Sequence, residues 1–376
     1  MSGKIMLIGI GELGYHILQD LAREPNIGKI IAADYSPNAE HKVNHVIYTA
    51  ALRGLYPNIE FRRIDLNDIK GTVEILREEK PNVICNATVI LSWWFFHLFP
   101  EDIVMKLNDA GLGPQLPFHL TLTYKLMKAV KQSGIETRVI NCSYSDVVNP
   151  VLAKVGLAPV CGGGNVDTYV QVIKRFVSKE LGVPMRSITI YMYGHHGLLS
   201  SFFNAPFLAK IYVYDKDVTN QYPPDKIRKI VQPFAKADMG AWATVPPQED
   251  ISASFTRNIL AVYGNTYEFC YAHGPAGLPG GYPVRLSYER GAEILLPEGV
   301  TLEEAIKVNE ESGRIGDGIE KIKDDGTVVF TEKAVKVYRE ILGYECKELK
   351  IEESEERAKE LKTLFKKLGE KYGIKT

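Results

Sequence analysis

The chain has 376 residues and carries 45 basic against 46 acidic side chains, a formal net charge of −1. A chain of this length forms two cores more readily than one. Its balanced charge gives no electrostatic footprint for nucleic acid or an anionic membrane surface. The apolar run Cys85 to Phe99 is interrupted by Asn86, Ser92 and His97 and is too short to span a bilayer. The first residues lead into a strand without the charged leader of a signal peptide, so a cytoplasmic location with no membrane partner is expected. Cys85, Cys142, Cys161, Cys270 and Cys346 lack paired spacing and are expected as free thiols.

From Lys4 to Asp34 the chain reads as a buried strand, Ile5-Met6-Leu7-Ile8, then Gly9-Ile10-Gly11-Glu12-Leu13-Gly14, an amphipathic helix, and a second strand ending in Asp34. This is the G-x-G-x-x-G pattern in the strand–helix–strand context that gives it meaning. Gly9 allows the tight turn, Gly11 leaves room for a pyrophosphate, and Gly14 lets helix and strand approach. The phosphates would meet the free amides and positive dipole end of the helix, at Gly11, Glu12 and Leu13. An acidic residue at the end of the second strand bonds the adenosine ribose hydroxyls and repels a 2′-phosphate, so Asp34 favours NAD over NADP. Lys42 is the one nearby cation that could reach such a phosphate.

Further along, Arg63-Ile64-Asp65-Leu66 ends a strand-like run, and Asn82 to Ala87 is a buried strand after a helix at about Ile69 to Glu79. In the strand order of a dinucleotide-binding domain its carboxyl end lies beside the cofactor. Asp65, Leu66, Asn86, Ala87 and Thr88 are therefore candidates to border adenine and the nicotinamide ribose, with Asp65 equally able to cap the helix that follows. Ser92 to Phe99 then places Trp93, Trp94, Phe95, Phe96 and Phe99 in one loop with His97. The loop reads either as an apolar wall over a substrate or as packing against a second domain or subunit. A helix from about Pro117 to Gln132 contains the Y-x-x-x-K pair Tyr124 and Lys128, and the strand Arg138 to Ser143 closes the first domain near residue 150.

The middle of the chain carries Val139-Ile140-Asn141-Cys142-Ser143-Tyr144-Ser145-Asp146, Gly162-Gly163-Gly164-Asn165-Val166-Asp167, and Ile188 to Gly194 followed by His195-His196-Gly197. In order and spacing, Arg138 to Gly197 resembles the lactate and malate dehydrogenase superfamily. The resemblance implies that His196 is the acid/base of a hydride transfer and that Asp167 holds its far nitrogen; Ser143, a candidate beside the cofactor, departs from it, since Ser143-Tyr144 stands where the family has the Asn-Pro that positions the substrate oxygen. An imidazole suits the task because it titrates near working pH, and a carboxylate behind it fixes its tautomer. His195 is the neighbouring alternative, and a satisfied histidine pair in a turn is the plain reading of both.

The chain departs from that family where it binds substrate. The arginine expected three residues after the aspartate is Val170, and the aromatic stretch with Trp93 and Trp94 replaces the loop arginine that polarises a carbonyl. A small 2-hydroxy acid is therefore not the expected substrate. Arg257, in a helix at about Ser252 to Tyr263, is the remaining candidate for a polar or anionic substrate group. The NAD-dependent glycosidases, which hold a metal with Cys and His, offer a looser parallel through Cys161, His195 and His196, but no third ligand site is apparent and no metal is expected.

Towards the C-terminus, Lys210 to Tyr214 and a turn at Asp215-Lys216-Asp217 predict antiparallel pairing. Thr301 to Glu304 is a capping box, and Thr331 caps a helix stopped by Gly343. The expected architecture is an α/β chain: an N-terminal Rossmann doubly wound parallel sheet over 1–150, then an α+β substrate domain with antiparallel strands over 151–376. The expected activity is NAD-dependent hydride transfer between nicotinamide and a secondary alcohol or ketone. A nucleotide-sugar epimerase or dehydratase of the extended short-chain type and a non-catalytic NAD-binding sensor are the alternatives. A small-molecule substrate and a homo-oligomer, dimer or tetramer, are the expected partners.

Overall fold

A computed structural model of the chain describes residues 3–241 and 248–374, apart from the side chains of 234–241. The first part alternates strand and helix: β1 (Lys4–Ile8), α1 (Glu12–Leu21), β2 (Lys29–Asp34), α2 (Ala39–Leu52), β3 (Ile59–Arg63), α3 (Ile69–Glu79), β4 (Val83–Asn86), α4 (Glu101–Ala110), α5 (Leu116–Ser133) and β5 (Arg138–Asn141). The strands form one parallel sheet in the order β3-β2-β1-β4-β5, with Leu7 opposite Ala32 on one side and Cys85 on the other. β1 is central and helices cover both faces, which is why Ile5, Met6, Leu7 and Ile8 are all buried rather than alternating. Strand order reverses between β1 and β4, so the crevice for a ligand opens at their carboxyl ends.

The second part contains α6 (Ser145–Ala153), α7 (Asn165–Leu181), β6 (Ile188–Tyr193), α8 (Gly197–Ser200), β7 (Leu208–Val213), β8 (Lys216–Asp217), α9 (Pro224–Ala241), α10 (Gln248–Tyr263), β9 (Glu268–His273), β10 (Gly281–Ser287), β11 (Gly291–Ile294), α11 (Leu302–Asp317), β12 (Ile319–Ile322), β13 (Val328–Phe330), α12 (Glu332–Leu342), β14 (Glu348–Leu349) and α13 (Ser354–Lys371). It builds three small antiparallel sheets, β6-β7-β8, β11-β10-β9 and β12-β13-β14. The Thr301 capping box and the Thr331 cap with Gly343 as stop both form as expected.

The chain closes on itself. Phe365 of α13 packs among Phe95, Phe96, Phe99 and Phe118, joining the last helix to the core beside the parallel sheet. At the other face α10 packs on α1, and Tyr263 bonds back to Gly3 and Gly28. All five cysteines are free, with Cys85 Sγ 3.4 Å from Cys142 Sγ. Among the described residues no helix is long and apolar enough to cross a membrane.

Candidate functional site

Each glycine of the first loop has a distinct steric reason. Gly9 has φ +96°, and a Cβ there would press on the Ala87 carbonyl at 2.8 Å. A Cβ on Gly14 would overlap the Gly9 carbonyl oxygen, so this glycine sets the contact of α1 with the turn. Gly11 is the opposite case: nothing lies within 4 Å of a Cβ built on it. The fold does not need Gly11 to be a glycine, and its missing side chain leaves room for a group to lie across the α1 N-terminus. Asp34 completes the corner, accepting from Ile10 N–H at 2.7 Å and Ser36 N–H at 2.9 Å. The Lys42 ammonium donates to the Ile10 carbonyl at 3.1 Å and so is tied to the loop backbone. Open space at Gly11, free helix amides and a carboxylate at the end of β2 fit the pyrophosphate and ribose of a dinucleotide without a 2′-phosphate.

From Gly11, Glu12 and Leu13 a cavity of about 320 Å³ runs past Ala87, Thr88 and Ser143 to His196. Trp93, Trp94, Phe96 and His97 line it, while Phe95 and Phe99 turn into the core against Phe365. The aromatic loop is thus cavity wall and packing at once. Burial lowers the His97 pKa.

At its far end His196 Nδ1 lies 2.9 and 3.1 Å from the two carboxylate oxygens of Asp317. The imidazole is 22 % exposed and the carboxylate wholly buried. Asp317 also accepts from Ser200 Oγ at 2.7 Å and from the Tyr144 hydroxyl at 3.0 Å. Burial opposes charge on both members of the pair, but the opposite charge and the hydrogen bond between them prevail. The His196 pKa is therefore raised above its ordinary value, and that of Asp317 is held far below the carboxylate range. With Nδ1 facing Asp317, Nε2 is the nitrogen left for the cavity.

Helix α11 reaches this site because its inner face is small. A Cβ on Gly316 would overlap Gly197, and one on Gly197 would overlap the Ser312 carbonyl. His195 is buried behind His196, with its Nδ1 3.2 Å from Asp317. A second carboxylate, Asp146, accepts from His196 N–H at 2.9 Å and from His273 Nδ1 at 2.8 Å. Val166 N–H donates to His273 Nε2 at 3.2 Å, which puts the His273 proton on Nδ1, facing Asp146. Burial resists ionisation of Asp146 too, and the surrounding histidines carry its pKa well below normal. Tyr144 sits in the left-handed region at φ +46° with its ring edge-on to both His119 and His196. A non-glycine residue held there stores on the order of 1–3 kcal/mol. His119 Nδ1 is 3.0 Å from Ser143 Oγ; burial first, and the neighbouring His196 second, lower its pKa to about 3 and keep it neutral.

Several expected positions lie elsewhere. Asp167 is not the partner of His196: it bonds Gln171 at 2.9 Å and lines a separate groove with Arg175, Asp250 and Arg257. The cause is helical phase, since 167, 171 and 175 share the α7 face turned to α10. Arg257 donates to the Phe269 carbonyl beside that groove and does not line the cavity. Asp65 is exposed and closes a turn onto Asn67, the α3 cap being Asp68, and Leu66 is core. Asn86 is buried and bonded to Thr123, Asn141 and Thr88, positioning the strand end instead of lining the cavity. Cys161 is core with its thiol pKa pushed up by burial. Neither Tyr124 nor Lys128 lines the cavity.

Asp317, Asp146, His273 and His119, which the structure gathers around His196, carry no role in the sequence reading. The signal for Asp317 was available in Gly313, Gly316 and Gly318, since glycines inside and just after a capped helix mark a close backbone approach.

No protein-family model matches the chain, and no curated protein matches it in sequence. Solved structures do match in shape. Malate dehydrogenase from Plasmodium falciparum in complex with NADH superposes with a TM-score of 0.56 at 16% identity, covering 82% of this chain and 94% of that one. A lactate dehydrogenase from a Medee basin deep-sea metagenome library gives 0.59 at 14%, covering 83% and 96%. The lactate dehydrogenase of Cryptosporidium parvum, complexed with lactic acid and nicotinamide adenine dinucleotide, gives 0.58 at 17%, covering 82% and 94%. The chain has the fold of the lactate and malate dehydrogenases.

Proposed function

We propose that the protein is an NAD-dependent oxidoreductase acting on an uncharged secondary alcohol or ketone, with His196 as acid/base and Asp317 as the group that orients it. One observation carries the reading: a single cavity has the open Gly11 turn at one end and the His196–Asp317 pair at the other. The bound dinucleotide would be held by Gly11, Glu12, Leu13 and Asp34, and supplies the hydride acceptor or donor. In the oxidative direction, neutral His196 takes the hydroxyl proton at Nε2 as the hydride leaves carbon, and Asp317 stabilises the imidazolium that forms. In the reductive direction the imidazolium returns that proton to the carbonyl oxygen. Asp146, by accepting His196 N–H, fixes the backbone from which the ring projects.

The substrate charge follows from the wall. The described residues lining the cavity include no arginine or lysine, and Val170 is buried in a separate core cluster. A carboxylate substrate would lack the bidentate cation that desolvating it requires.

Titrating the protein with NADH and following nicotinamide absorbance over a panel of neutral ketones, with pyruvate and oxaloacetate beside them, tests this. Turnover of a neutral ketone with negligible turnover of the 2-keto acids is expected. Efficient reduction of either keto acid would contradict the substrate assignment, and absence of NADH binding would end the reading.

A further inference from the structure

Most polar groups around His196 are already spent within the protein. The Tyr144 hydroxyl and Ser200 Oγ both donate to Asp317, and His195 lies against the same carboxylate. His273 is held between Asp146 and Val166 N–H. The His119–Ser143 pair differs. It holds one imidazole proton and one hydroxyl proton and uses one of them in its own 3.0 Å bond. If His119 Nδ1–H donates to Oγ, the serine O–H is left; if the serine donates, His119 Nε2–H is left. Neither leftover donor has a partner among the described residues, and both side chains line the cavity together with His196.

The pair is also held in place. Ser143 N–H donates to Asn141 Oδ1 at 3.1 Å and the Ser143 carbonyl accepts from Asn141 Nδ2 at 3.0 Å, so one buried amide clamps both ends of the residue. Asn86 Nδ2 braces Asn141 in turn at 3.1 Å. On the other side, His119 and His196 both stand edge-on to the Tyr144 ring, at centroid distances of 5.7 and 5.4 Å. The two imidazoles border the cavity in different protonation regimes. Burial keeps His119 neutral; burial opposes charge on His196 as well, but Asp317 outweighs it and raises that pKa. A group that stays neutral can donate a hydrogen bond throughout the reaction without delivering its proton.

We propose, on the basis of the oxidoreductase reading above, that the His119–Ser143 pair is a catalytic donor to the substrate oxygen, acting beside His196. In reduction, hydride reaches the carbonyl carbon, the C=O π pair moves onto oxygen, and His196 Nε2 gives that oxygen its proton. The free donor of the pair bonds the same oxygen as its charge grows and keeps its own proton. In oxidation the pair holds the hydroxyl oxygen while His196 removes the proton. The described residues lining the cavity include no arginine or lysine, so a neutral, preorganised donor is what remains to stabilise that oxygen.

The test measures reduction of cyclohexanone, acetophenone and hexan-2-one with NADH. His119→Phe keeps an aromatic ring against Tyr144 but removes both nitrogens, and His119→Gln returns a side-chain N–H. His119→Phe should lower kcat roughly 10²-fold, the usual effect of losing one preorganised donor, with NADH affinity within about threefold of wild type. The inflection of the pH profile should stay above 6.5, because His196 still titrates. His119→Gln should recover at least about tenfold of the lost kcat. The infrared stretch of the isotope-labelled carbonyl of the same ketones, bound with NAD, reads polarisation without turnover and should lie lower in wild type than in His119→Phe. Ser143→Ala, which should lower kcat about tenfold, keeps the proposal testable if His119→Phe folds poorly. Unchanged kcat and an unchanged carbonyl stretch in these variants would overturn the proposal and leave the oxidoreductase reading standing. So would loss of NADH binding in step with turnover, which would place the pair on the cofactor instead. No reduction of any ketone by wild type would overturn both.

Discussion

Replacing Asp317 with Asn keeps the volume of a fully buried side chain but removes its charge. The imidazole of His196 loses its counter-ion, and a single amide oxygen replaces the two that now accept from Tyr144 and Ser200. Removing one partner of a buried pair costs about 3–5 kcal/mol. At roughly 2.1 cal/mol/K per residue the whole chain has an unfolding entropy near 0.8 kcal/mol/K, so Tm should fall by about 4–6 °C. The fall should depend on pH with a definite sign. The folded His196 pKa lies above 6.5, so its contribution is complete below that value and is lost as pH rises through the folded pKa. The folded Asp317 pKa lies below 3.8, so its contribution is present above that value and is lost as pH falls through the folded pKa. The difference in Tm between wild type and variant should therefore be largest between pH 3.8 and 6.5 and narrow at alkaline pH. Calorimetry of both proteins over pH 4–9 measures it. A difference below about 1 °C, or one flat across that range, would refute the coupling of the two groups.

Other perturbations follow from the same geometry. Gly11→Ala should fold with wild-type Tm, because its Cβ meets nothing, yet weaken NADH binding at least tenfold by fluorescence titration. Gly14→Ala, whose Cβ overlaps the Gly9 carbonyl, should instead lower Tm by several degrees, and equal effects of the two would contradict the assigned roles. NAD should bind at least tenfold more tightly than NADP, with Asp34→Ser narrowing the gap; tighter NADP binding would overturn the reading of Asp34. Because the His196 pKa is raised, kcat/KM for alcohol oxidation should climb through an inflection above pH 6.5. Asp317→Asn should move that inflection down, and an unmoved profile would assign the titration to another group.

The glycine turn was legible because everything that determines it is local. Gly9, Gly14 and Asp34 meet one another within a single strand–helix–strand unit, and steric need there fixes residue type. The caps at Thr301 and Thr331 were readable for the same reason. The His196–Asp317 pair was legible only by half. Spacing points to His196, whereas the carboxylate beside it comes from a helix end 121 residues later, joined by glycine packing that no local pattern reports. Asp167 was assigned by analogy of spacing, and helical phase carries it into a different groove. The aromatic loop could not be read as wall or core because its residues divide between the two.

In the proposed mechanism the Gly11 turn and His196 are two ends of one hydride-transfer site. Its most direct test is His196→Ala, measured for NADH affinity and for turnover of a neutral alcohol or ketone in parallel. NADH affinity within about threefold of wild type and turnover reduced by roughly 10²–10⁴ are expected. Wild-type turnover in the variant, or loss of NADH binding together with turnover, would contradict it.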